Sequence, residues 1–307
     1  MIIDAHCDAL YKMWEFELPF ESSEQLQVNY QKWMESPVKI QCFAIFVPPE
    51  VSEEAQFSAA LKMVNLFYEQ IIEPYDHIKC ITSRRDIETL KEHEKGAMLT
   101  LEGCHVIGSD LNKLKTLLRL GVKAVGLTWN QANAVCDGIE EQRGAGLSSF
   151  GHEVVRLLNK EKIWTDVSHL SYKGFWDVIE LAEFPMASHS NAIDLASHKR
   201  NLDKHQIQEL IKKKAWIGVT FVPDFLNDGA EATYLDVLNH ISYYIMEGAE
   251  DCLGLGSDFD GTSEFVKGLF DPTDYHVFNK ELLHRWPRNI VQKITNQNFI
   301  KKFPCQG

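Results

Sequence analysis

The chain has 307 residues, 45% hydrophobic and 24% charged, a balance that excludes a disordered or fibrous protein and supplies enough apolar side chains for one large core. Its formal net charge of −13 repels phosphate backbones and argues against nucleic acid as a partner. The seven cysteines are odd in number, irregularly spaced and free of Cys-x-x-Cys pairs, which argues against a disulfide framework or a zinc ribbon and for reduced thiols.

No basic segment followed by a long apolar one opens the chain, and no apolar run is long enough to cross a bilayer. A cytoplasmic protein with no membrane partner, folded as one domain over residues 1–307, is therefore expected. Short apolar runs recur at residues 2–5, 38–47, 97–101, 124–128, 163–167, 185–188, 216–221 and 253–256. They show little polar alternation, as parallel strands covered on both faces do.

In chain order, the first run leads into Asp4-Ala5-His6-Cys7-Asp8. On an extended backbone His6 and Asp8 point the same way and can chelate one cation, while Cys7 points elsewhere. Residues 53–72 carry Phe57, Ala60, Leu61, Val64 and Phe67 at helical spacing. The third run ends on Glu102, a carboxylate that can bridge two metals, with Gly103 allowing a close turn beside it. Asp110 is placed to cap a helix that buries Leu111, Leu114, Leu117 and Leu118 and stops at Gly121. Asp203 is placed to cap a helix over residues 204–214 that buries Ile207, Leu210 and Ile211.

The fifth and sixth runs end at His169 and His189, equivalent positions joined by one short helix, and the eighth ends at Asp258. The remaining histidines, among them His152, His198, His205 and His240, read as ordinary core or surface residues. Asp258 suits general acid/base work, and Arg200 suits the bidentate clamping of a substrate carboxylate. Eight strand–helix alternations predict an α/β fold of the (β/α)8 TIM type, in which all strand C-termini share one mouth and gather these residues there. An open doubly wound sheet is the rival fold, but no Gly-rich phosphate turn follows an early strand.

These residues carry a resemblance. DAHCD at 4–8, LEGCH at 101–105, GLSSFG at 146–151, DVSH at 166–169, SHSNA at 188–192, HKRNL at 198–202, GSDFDG at 256–261 and NFIKKF at 298–303 together resemble the renal (membrane) dipeptidase family, the M19 metallopeptidases, in a bacterial form. The resemblance implies a two-zinc centre, with Mn2+ or Co2+ as substitutes. His6 and Asp8 would bind the first ion, Glu102 would bridge, and His169 and His189 would bind the second. It also implies hydrolysis of dipeptides by a metal-bridging hydroxide, with Asp258 as acid/base group, Arg200 on the terminal carboxylate, and a homodimer. Acceptance of a C-terminal D-residue is left open. One departure stands out: Trp129 occupies the position of a family His that contacts substrate, leaving Asn130 or Asn133 to supply a polar contact. Two alternatives are carried beside this reading. One is an amidohydrolase-type barrel acting on cyclic amides or lactones, which commonly begins with His-x-His and uses a bridging Lys; the other is a catalytically silent binding barrel.

Overall fold

The structure, a computed structural model, describes residues 1–229 and 231–304, so Cys305 lies outside the described residues. Among the described residues, nine strands form one sheet: β1 (Ile2–Asp4), β2 (Val38–Phe46), β3 (Ile78–Cys80), β4 (Lys95–Glu102), β5 (Val122–Gly126), β6 (Trp164–Asp166), β7 (Pro185–Ala187), β8 (Trp216–Val219) and β9 (Leu253–Leu255). All pair in parallel, in the order β2-β1-β9-β8-β7-β6-β5-β4-β3, and a second ladder from β2 to β4 closes the ring. Eight strands therefore form a closed TIM-type barrel, as the alternation predicts. β3 is an addition: it pairs with the start of β4 through Ile78–Cys80 and stays outside the ring. Only Ile78 of its three residues is buried, so no apolar pattern announced it.

The helices form where the caps predict. Asp110 accepts from Asn112 N and opens the helix Leu111–Arg119, which buries Leu114 and Leu117 and ends before Gly121, at φ +107°. Asp203 forms a reciprocal capping box with Gln206 at the start of Lys204–Lys212. The helix Glu53–Leu66 passes into a π-helix at Phe67–Ile72, which keeps Phe67 and Ile71 both buried.

Two apolar layers divide the core. Most of it lies between strands and helices, while Ile3, Ile40, Cys42, Met98, Trp164 and Trp216 belong to a separate cluster with Phe299 and Phe303. Ile2 and Ile3 fall in different clusters, the period of two of a strand buried on both faces. Trp164 packs against Phe299 and Phe303 with ring centroids 4.8 Å apart in each case, and Trp216 lies 5.3 Å from Phe299. The indole of Trp216 needs Gly254 beside it, because a Cβ there would lie 2.2 Å from the ring. Each such buried aromatic is worth roughly 1.5–3 kcal/mol of burial. Many of the buried polar residues, among them Asp4, His6, Asp8, Glu102, Asp166, His169 and His189, lie at or just after strand C-termini.

Candidate metal centre

The backbone after β1 stays extended between its neighbours. Ala44 N donates to Cys7 O at 2.9 Å, Asp258 N to His6 O at 3.1 Å and Asp8 N to Phe259 O at 2.8 Å. Cys7 is fully buried in the outer apolar layer, and the alternation turns His6 and Asp8 to the opposite side. Glu102 ends β4 in register with Phe46 of β2 and Gly126 of β5.

Glu102 divides its two oxygens between two sets of side chains. Its Oε2 lies 3.4 Å from His6 Nε2, which is also 3.5 Å from Asp8 Oδ2 and 3.6 Å from Asp258 Oδ1. Its Oε1 lies 2.8 Å from His169 Nε2 and 3.6 Å from His189 Nε2. Two groups have ligand-type atoms within 4.8 Å of one another, His6 with Glu102 and His189, and His6 with Asp8 and Asp258. The six residues predicted to meet are thus brought together, with His6 at the centre. Two of them sit in the left-handed region: His169 has φ +68° and Asp258 φ +66°, values that non-glycine residues adopt uncommonly.

Hydrogen bonds outside the cluster decide which nitrogens face inward. Asp166 accepts from both Ser188 N and Ser188 Oγ. With its proton committed to Asp166, Ser188 Oγ accepts from His189 Nδ1 at 2.7 Å, which leaves Nε2 as a bare lone pair. His169 Nδ1 donates to Asn130 Oδ1 at 2.8 Å, so its Nε2 is bare as well. These two lone pairs face each other at 2.9 Å. His6 Nε2 and Asp8 Oδ1 are buried with no hydrogen-bond partner. Facing lone pairs on His169 and His189, and unpartnered buried atoms on His6 and Asp8, cost free energy that divalent cations would relieve, and the imidazole–carboxylate set fits such ions.

The charges tell the same story. Burial, and then Arg200, push His169 down to about 4, and burial with His6 and Arg200 hold His189 well below its ordinary value. Burial opposes charge on His6, yet Glu102 and Asp8 raise it well above its usual range. Burial would raise Glu102, but His6 and His169 hold it well below. Burial and Glu102 raise Asp8, and burial raises Asp258.

A 270 Å³ cavity opens over the cluster, lined by Asp8, Glu102, His169, Arg200, Trp129, Asn130 and Asp258 among others. Arg200 is 5% exposed, its guanidinium 5.4 Å from the Phe225 ring centre and one NH2 donating to His189 O at 3.3 Å. Its Nε has no partner. Asn130 lines the cavity, but its Oδ1 is committed to His169. Asn133 faces away, bonding to Leu127 O and Val135 N.

Several residues with a part in the site were not singled out from sequence. Asp4 accepts from Ser257 N at 2.9 Å and Ser257 Oγ at 2.7 Å, fastening the residue before Asp258 as Asp166 fastens the one before His189. Gly261 packs so tightly that an ideal Cβ would lie 2.2 Å from Asp258 Oδ1 and 2.5 Å from Asp8 Oδ2. His198, read as ordinary, lines the cavity and stacks near Phe225 at 4.4 Å. The one signal was position: each stands inside a quoted motif.

A model of the membrane dipeptidase family, peptidase family M19, matches residues 1–304. The chain belongs to this family. The M19 chain is 32% identical over 210 residues to dipeptidase tcpJ of Claviceps purpurea (strain 20.1), an alignment covering 67% of this chain and 49% of that protein. It thus spans about half the length of that curated relative. Among solved structures it superposes on dipeptidase AC, a metallopeptidase of family M19, with a TM-score of 0.91 at 24% identity, covering 98% of this chain and 97% of that one. A metallopeptidase from Rhodobacter sphaeroides, liganded with a phosphinate mimic of the dipeptide L-Ala-D-Ala, superposes with a TM-score of 0.90 at 23% identity over 98% of both chains. At these identities the likeness shows the barrel fold alone. Membership implies a metal cofactor. Among the described residues, no helix is long and apolar enough to cross a membrane.

Proposed function

We propose that this M19 protein is a metal-dependent dipeptidase that cleaves the peptide bond of free dipeptides. The division of Glu102, one oxygen toward His6 and Asp8 and the other toward His169 and His189, carries this reading. His6 and Asp8 would hold one divalent ion, His169 and His189 a second, and Glu102 both; the donor set suits zinc, with manganese and cobalt as substitutes. Bound there, such ions acidify a coordinated water and polarise a carbonyl oxygen.

The chain's own groups do the rest. Asp258, raised by burial, takes a proton from the attacking water and returns it to the leaving amine. The buried Arg200 guanidinium, with its unpartnered Nε, receives the substrate's C-terminal carboxylate. An internal peptide bond offers no such carboxylate, so short substrates are favoured over internal peptide bonds. Asp166 through Ser188, and Asn130 directly, keep the imidazoles turned with Nε2 inward. The dipeptide mimic carried by the Rhodobacter sphaeroides relative supports substrates of this size, including a D-residue on the C-terminal side.

Metal analysis of the purified protein, with a panel of L,L- and L,D-dipeptides, cyclic amides and lactones, tests the proposal. Dipeptide hydrolysis that is lost on chelation and restored by zinc is expected. A metal-loaded protein that leaves every dipeptide intact overturns it, and turnover of the cyclic substrates instead would select the amidohydrolase alternative.

A further inference from the structure

A second cavity, of 760 Å³, adjoins the one over the metal-type cluster, and Trp129 lines both. Its walls come from the segments after β2, β4 and β5, with Glu50, Glu53 and Glu54 against the single Lys113. Trp129 is shared by both walls, and its indole is held in an aromatic row. It packs on Phe46 at 5.1 Å and faces His169 at 6.2 Å, and Tyr11 extends the row 5.4 Å beyond Phe46. The backbone under the indole has no slack, since a Cβ on Gly138 would lie 2.2 Å from Trp129 O.

Barrel order places this wall relative to the carboxylate clamp. Around the ring the strands run β1, β2, β4, β5, β6, β7, β8, β9, so β2 stands opposite β7 and β4 opposite β8. Arg200 follows β7 and lies over Phe225, which follows β8. Phe46 ends β2 and Trp129 follows β5, one on each side of β4. The Arg200–Phe225 wall therefore faces the Phe46–Trp129 wall, which flanks Glu102, across the barrel mouth. A dipeptide whose carboxylate sits on Arg200 extends its amino-terminal residue toward Trp129.

We propose that Trp129 is a specificity-determining residue: it ends the subsite for the amino-terminal side chain and bars that side chain from the acidic cavity beyond, so that the protein prefers dipeptides beginning with a small residue. This rests on the dipeptidase reading. The cavity over the metal-type cluster has 270 Å³, against 760 Å³ for the one on the other side of Trp129. Removing the indole joins this space to the larger cavity, whose carboxylates favour a long basic side chain.

The test compares kcat/KM for Ala-Ala and Arg-Ala in the metal-loaded wild type, Trp129→Phe and Trp129→Ala, with a crystal structure of the alanine variant. Trp129→Ala should show one continuous cavity and raise the Arg-Ala to Ala-Ala ratio about ten-fold or more, while Trp129→Phe stays near wild type. If the alanine variant does not fold, Trp129→Leu, which keeps an apolar contact with Phe46, carries the same expectation. An unchanged ratio with the cavities joined overturns the assignment, as do cavities that stay separate. A wild type that cleaves Ala-Ala while the variants keep its selectivity removes only the role of Trp129. A wild type that cleaves no dipeptide removes the dipeptidase reading with it.

Discussion

Replacing Gly261 with alanine adds one methyl group where two carboxylates converge. The added Cβ would stand 2.2 Å from Asp258 Oδ1 and 2.5 Å from Asp8 Oδ2, against an ordinary carbon–oxygen contact of about 3.3 Å. The oxygens must therefore retreat by roughly 1 Å. Neither can do so by a free swing of the chain: Asp258 N is bonded to His6 O, Asp8 N to Phe259 O, and Asp258 already sits at φ +66°. A misplacement of that size costs about 100-fold in rate, or roughly 2.7 kcal/mol of transition-state stabilisation. Because Asp8 is a proposed ligand, metal occupancy should fall as well. The assay is kcat/KM on the best dipeptide, metal content by mass spectrometry, and a thermal melt to show that the barrel persists. A Gly261→Ala protein with full metal content and turnover within about three-fold of wild type would refute the argument.

Three further outcomes are expected. Asp258→Asn should retain its metals and lose roughly 10²–10⁴-fold in turnover; near-normal turnover removes its acid/base role. Arg200→Ala should raise KM for free dipeptides about 10- to 100-fold, the worth of a charged hydrogen bond, and much less for C-terminal amides; equal effects on both argue against the clamp. His240 is buried, with Nδ1 accepting from Ala192 N and Nε2 donating to Leu226 O, and burial lowers it to about 4. Its folded pKa lies below the unfolded value of about 6.5, so its contribution is intact above pH ~6.5 and lost as pH falls through ~4, a difference of about 3 kcal/mol. Nuclear magnetic resonance titration of labelled histidines checks this, and a His240 pKa near 6.5 would contradict it.

The barrel and the residue types gathered at its mouth were legible in the sequence because both have short-range causes. Apolar runs alternating with amphipathic stretches dictate buried parallel strands, and a polar residue at a run's end must then stand at one mouth, wherever it lies in the chain. Asp110 and Asp203 announced their helices because a cap acts on residues two or three positions away. What the tertiary structure decided is which partners meet across strands. No local pattern pairs Asp4 with Ser257, or Asp166 with Ser188, since those contacts arise only when neighbouring strands align. The tautomers of His169 and His189, the division of Glu102 between two sets of side chains, the need for glycine at 261 and the place of Trp129 between two cavities follow from the same cause. Chemistry is written in residue type, which a sequence carries; distance and direction belong to side chains packed from opposite ends of the chain.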